Sequence, residues 1–400
     1  MFRISNKYKC ILSILSIFLI CVLVLLFTQF GSFIVDIYGI ILRGDKINLE
    51  GDFNELKFID DELENYDLFL GGEAHGINMT YKMEEYMAKY FIENHGVKNI
   101  VLEVPVSIAE ILNEYLKTGD ETILTNALNK FKTTFIDNQE TYDLYKFYYE
   151  YNKTLSESKK LNFVGIDVES VLNTTGIYIN NLISNLGEPP EEIEEIVNRI
   201  KDYYNYHDRF RLKALCEDIN NNRNYFKEYL GDKFFYFDLV INNIDFYGDM
   251  SMEEREKAMI RNFKAHYENL GGGKYFGQLG RTHVQKVFLN KYGSMEDKVA
   301  TFAKAINEEE GSLNGKVYSM IYVYANSYSN HGGNITEFND MTLPYAKDEG
   351  SVKLYSKNDY KKIIKILGNY GWSEEDLGDL VFIIKDSKST VNISKKLIQQ

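Results

Sequence analysis

The sequence predicts an α/β fold with a mainly parallel central sheet flanked by helices, a large helical insertion, and an N-terminal transmembrane helix. Three observations carry this reading. Beyond about residue 47, short apolar runs alternate with stretches of helical periodicity, the order of a sheet with helices on its faces. The stretch from Gly176 to Asn269 holds no strand pattern. The first forty residues contain an apolar run long enough to cross a bilayer.

Taken in order, Cys10 to Phe27 is apolar apart from Ser13 and Ser16, and the apolar character resumes from Phe30 to Val35. Arg3, Lys7 and Lys9 precede the run and Asp36 follows it, so the positive-inside rule leaves the tail 1–9 in the cytoplasm and the rest outside. No small-x-small cleavage site closes the run, which predicts an uncleaved signal anchor over 10–35. A juxtamembrane lead-in, 36–65, and an extracytoplasmic domain, 66–400, would follow. Strands are expected at Leu68 to Gly71, Asn99 to Val104, Leu161 to Asp167, Tyr275 to Leu279, Val317 to Tyr324 and Leu380 to Ile384. Between the first two, Met83, Tyr86, Met87, Tyr90 and Phe91 recur at helical spacing over Met79 to Asn94, and Gly96 ends that helix. Pro189-Pro190 followed by Glu191-Glu192 marks a helix start inside the insertion, about 170–269. Lying between the third and fourth strands, the insertion is expected to cover the C-terminal strand ends and shape a cleft.

Composition narrows the chemistry. The 400 residues are 44% hydrophobic, enough for one large core without a linker rich in proline or glycine. A net charge of −14 and the lack of a Lys/Arg cluster argue against nucleic acid as a partner. Cys10 and Cys21 fall in the apolar run and Cys216 stands alone, so no disulfide framework or cysteine-rich zinc site is available.

The expected strand ends carry the reactive side chains. The first delivers Glu73 and His75, the second Glu103, the third Asp167, and the fourth Arg281 and His283. In a parallel sheet these converge on one crevice. A histidine beside carboxylates is a general base for activating water, and the same residue types are ligands of zinc or manganese. There is no G-x-S-x-G elbow, H-E-x-x-H or Walker A motif, so water is the expected nucleophile. His95 reads as a helix-end residue, His207 and His266 as residues of the insertion, and His331 as part of a polar loop.

The run Leu70-Gly71-Gly72-Glu73-Ala74-His75-Gly76, with Lys82 after it, resembles the opening of the erythromycin esterase family. The likeness extends through His95-Gly96-Val97, Leu102-Glu103, Val164-Gly165-Ile166-Asp167, Arg255-Glu256-Lys257-Ala258-Met259 and His283-Val284-Gln285-Lys286. It runs from about residue 47 to about 290. The resemblance implies an α/β hydrolase-like sheet with a helical cover and cofactor-free cleavage of an ester or lactone by water. It makes His75 the general base, held by Glu73 and Glu103, with His283 and Arg255 binding substrate or stabilising the oxyanion. Lys82, Asp167 and Arg281 would complete a substrate-binding set. Three features depart from the pattern: Gly280-Arg281-Thr282-His283 stands where the macrolide esterases have H-N-x-H, the first motif is one residue short, and Lys82 replaces a frequent arginine.

Gly72-x-x-His75 and Gly280-x-x-His283 also resemble the paired G-x-x-H motifs of the TraB and Tiki group, membrane-anchored proteins that include metal-dependent proteases. That likeness implies a zinc or manganese ion on His75, His283, Glu73 and Glu103. A non-catalytic relative binding haem or another ligand, as in the ChaN branch of the same broad superfamily, is the third alternative.

Overall fold

The structure, a computed structural model, describes residues 45–129, 136–184, 186–202, 209–244, 251–290, 298–308, 311–337, 351–355 and 378–393. The expected membrane anchor at 10–35 and His207 lie outside these residues. Among the described residues no helix is long and apolar enough to cross a membrane.

One sheet of eight strands organises the chain: β1 (Asp45–Ile47), β2 (Leu68–Glu73), β3 (Asn99–Pro105), β4 (Asn162–Asp167), β5 (Tyr275–Gly280), β6 (Val317–Ala325), β7 (Ser351–Tyr355) and β8 (Leu380–Lys385). Their order across the sheet is β1-β7-β8-β6-β2-β5-β3-β4. The six strands from β8 to β4 are parallel, while β1 and β7 form an antiparallel edge. All six expected strands are present. The two edge strands were not expected, because β1 is three residues long and β7 five, too short for alternation to stand out. The lead-in thus contributes a strand to the sheet.

The inner strands are apolar on both faces because helices cover both. On one face Phe69, Leu102, Phe276 and Tyr322 pack beneath α1 (Asn78–His95), α2 (Val106–Thr118) and α3 (Gln139–Thr154). On the other, Leu70, Val101, Leu279 and Ile321 meet Met259 and Phe263 of α4 (Met252–Asn269). Gly96 closes α1 with φ 71°, as its position after the periodic run predicts.

Chain order sets the geometry of the strand ends. After β2 the chain lays β3 two places away, adds β4 outside it, and returns with β5 into the gap. It then crosses to the other side of β2 with β6, so the direction of winding changes at β2, where parallel sheets open a crevice. The last residues of β2 and β5, Glu73 and Gly280, pair in register. The β3–β4 register shifts between Leu102 and Pro105, an irregularity of the kind that re-aims a side chain, here at Glu103.

The insertion is helical throughout its described parts, with helices at Leu172–Ser184, Glu194–Lys201, Arg209–Asn221, Arg223–Leu230 and Phe234–Ile244 ahead of α4. Ile183, Val197, Phe226 and Phe237 form its own core, which joins the domain at Val106 of α2. Its body therefore leans on a flanking helix, and α4 is the part that reaches the strand ends.

Candidate active site

Glu73 ends β2, and the chain then turns sharply at His75 and Gly76. Gly76 adopts φ +79°, and a Cβ there would lie 2.0 Å from Asn330 Oδ1. The turn is clamped from outside: Ser329 Oγ donates to the His75 carbonyl (2.7 Å), and the Asn330 and Thr390 amides donate to the Gly76 carbonyl (3.2 and 3.0 Å). This fixes His75 so that its Nδ1 hydrogen-bonds Glu73 Oε1. The ring stays 30% exposed. Its Nε2 faces Gly280, where a Cβ would come within 3.1 Å. A residue with any side chain at position 280 would crowd that nitrogen. Burial pulls the His75 pKa down, but the charges of Glu73 and Glu103 outweigh it and leave it raised above 6.5.

Glu103 is the hub of a buried ion network. Its Oε2 accepts the Gly280 amide (2.6 Å) and its Oε1 accepts Arg255 Nη2 (2.6 Å). Arg255 also holds Asp167 with two bonds, Nε to Oδ1 (3.0 Å) and Nη2 to Oδ2 (2.7 Å), the fork geometry of a guanidinium on a carboxylate. Its Nη1 lies 3.2 Å from His283 Nε2. Ser251 caps α4 in a capping box with Glu254, which sets Arg255 one turn into the helix at the ends of β3 and β4. Burial would raise the Glu103 pKa, yet His283, His75 and Arg255 hold it well below the carboxylate range.

His283, 3% exposed, bonds Glu256 Oε1 through Nδ1 at 2.6 Å, with its Nε2 3.4 Å from Glu103 Oε1. Burial depresses its pKa, but these two carboxylates push it up to about 9. Glu256, next to Arg255 in the chain, is not among the residues expected from the sequence, and the packing of α4 buries it against His283.

The expected site residues divide accordingly. His75, Glu73, Glu103, His283, Arg255 and Asp167 come together at the ends of β2, β3, β4 and β5. Asp167 binds Arg255 and caps its own strand at the Val168 amide, so its carboxylate is engaged within the network. Two expected site residues stand apart from this cluster. Lys82 is exposed on α1 and lines a separate hollow with Lys46, Glu50 and Ser351. Arg281 points away along the sheet, its guanidinium engaged by both Glu337 oxygens and by the Tyr322 carbonyl (3.1 Å). Lys82 is a helix residue whose facing depends on α1's rotation, and Arg281 finds a carboxylate that sequence order hides. His266 lies buried beside Phe235 and Tyr236, and burial pushes its pKa down to about 4. His95 closes α1 near Asp60, and His331 is exposed in the Ser327–Ile335 hairpin.

A divalent metal fits these residues poorly. Among the described residues no three His, Cys, Asp or Glu side chains are arranged to hold one. The guanidinium of Arg255 supplies the positive charge between Glu103 and Asp167, and Glu256 engages Nδ1 of His283.

A model of the erythromycin esterase family matches residues 92–293, half of the chain. The chain belongs to that family. Among solved structures it is similar to a Bacillus cereus protein (15% identity, TM-score 0.65), over 89% of this chain and 98% of that one. It is also similar to a succinoglycan biosynthesis protein (14% identity, TM-score 0.65, 90% of this chain and 98% of that one). A mutant of the erythromycin esterase EreC in its open conformation aligns at 12% identity and TM-score 0.55, over 86% of this chain and 96% of the mutant. At these identities the likeness is one of fold. None of the curated proteins matches. Within the family fold, the mainly parallel sheet carries the His75 turn and the Arg255 network at one set of strand ends.

Proposed function

We propose that this family member hydrolyses an ester or lactone with water, His75 acting as general base. The observation that carries the reading is the Glu73–His75 pair: a carboxylate fixes Nδ1, while Nε2 faces the bare backbone of Gly280. An imidazole held in one tautomer at a part-exposed position is suited to deprotonate water. In the step proposed, a water proton passes to Nε2 as its oxygen bonds to the carbonyl carbon. The tetrahedral oxyanion then collapses, the bond to the leaving oxygen breaks, and the imidazolium returns the proton to that alkoxide. Arg255, its side chain 25% exposed, supplies positive charge beside the developing oxyanion. Glu73 holds the imidazolium, and Glu103 holds Arg255 and the Gly280 strand end in place.

The hydrolysis proposed needs no metal. Membership in an esterase family supports that, as does the guanidinium of Arg255 standing between Glu103 and Asp167. Screening the purified protein against ester, lactone and peptide panels, with chelator and elemental analysis alongside, tests it. Turnover of an ester that survives chelation is expected. Activity that tracks one equivalent of zinc or manganese would overturn it. We also propose that the domain sits outside the cell membrane on a single-pass anchor at 10–35, supported by the apolar run and by Arg3, Lys7 and Lys9 before it. Protease protection in intact cells, with the domain accessible from outside, is the corresponding test.

A further inference from the structure

A hollow of about 70 Å³ opens beside His75 and runs along the α1 face of the sheet to Glu84 and Gln278. At about 30 Å³ per water, it takes about two water-sized groups. Its far end holds buried polar groups. Tyr148 Oη and Gln278 Nε2 both donate to Glu84, at 3.1 and 3.2 Å, and Gln278 Nε2 also reaches the Thr80 carbonyl at 3.1 Å. That arrangement leaves Gln278 Oε1 buried with no partner among the described residues, as are Glu73 Oε2 and the Tyr322 hydroxyl. Tyr322 and Gln278 meet over Gly71, where a Cβ would lie 2.6 Å from the tyrosine oxygen and 3.6 Å from Gln278 Cγ. A buried polar group left without a partner is destabilising.

We propose that this hollow is a subsite for a short, hydroxyl-bearing arm of the substrate ester, whose O–H donates to Gln278 Oε1. The inference rests on the hydrolytic reading and names the substrate class within it. A plain alkyl arm would displace water and leave the orphaned acceptors unsatisfied, so the subsite discriminates by penalty. An ammonium arm is disfavoured because Glu73 and Glu103 already face His75 and Arg255. Burial also pushes the Glu84 pKa up to about 8, leaving it mainly neutral near pH 7.

The test measures kcat/KM of the full-length protein on ethyl acetate, ethyl glycolate and 2-hydroxyethyl acetate, which place a hydroxyl on neither, the acyl or the alcohol arm. At least a tenfold preference for one hydroxylated ester over ethyl acetate is expected. In Gln278→Met that ratio should fall toward one, with the melting temperature recorded to certify folding. If the variant does not fold, the wild-type ratio decides alone. Hydrolysis without preference, turnover only of other esters, or a preference unchanged in folded Gln278→Met overturns the subsite and leaves the hydrolytic reading standing. No hydrolysis of any ester overturns both.

Discussion

Glu256 Oε1 and His283 Nδ1 lie 2.6 Å apart in a fully buried pair that couples α4 to the end of β5. His283 titrates near 9 in the fold, against about 6.5 unfolded, so between those values the folded state binds the extra proton. Its contribution to stability is complete below pH 6.5 and is lost as pH rises through 9. Glu256→Gln removes one of the carboxylates responsible. Thermal denaturation across pH 6 to 9.5 should show wild type losing stability toward alkaline pH and the variant doing so less steeply. Parallel curves would show that the pair does not set the His283 proton.

Glu73 acts on the base itself. Without its charge, burial is the larger influence on His75, so the pKa of Glu73→Gln should drop. Because the base works deprotonated, the acid limb of the kcat/KM profile should move to lower pH while the plateau falls about a hundredfold. A profile that keeps its limb in place contradicts the role.

Arg255→Lys retains the charge and loses the fork. One ammonium cannot hold Asp167 with two bonds and still reach Glu103 as the guanidinium does. Leaving a buried carboxylate short of a partner should cost about 3 kcal/mol, read as a lower denaturation midpoint with kcat reduced. A variant as stable and active as wild type would remove Arg255 from the centre of the network.

The site's strand ends were legible in the sequence because four of the apolar runs carry a charged residue or a histidine at or just beyond their ends. A parallel sheet then has one place to put Glu73, Glu103, Asp167 and His283. Arg255 was legible through family likeness. Glu256, Glu84 and Gln278 were not, since their roles depend on which face of α4, α1 or β5 each presents, and that is settled by packing. Lys82 and Arg281 show the converse, as expected residue types near the motif, of which Lys82 lies exposed at a separate hollow and Arg281 is engaged by Glu337.

Gly76 offers a purely conformational test. At φ +79°, with Asn330 Oδ1 where a Cβ would stand, Gly76→Ala should cost more than about 1 kcal/mol. It should also lower kcat by displacing His75, whose carbonyl is clamped by Ser329. Urea denaturation and steady-state kinetics check both, and a silent substitution would mean the turn does not aim the base.

In the hydrolysis proposed, His75 removes the proton from water. On an ester the wild type cleaves, kcat/KM of full-length His75→Ala, with folding verified by its melting temperature, measures it directly. A loss of at least about a thousandfold with the fold intact is predicted. Turnover within a few-fold of wild type would contradict the account.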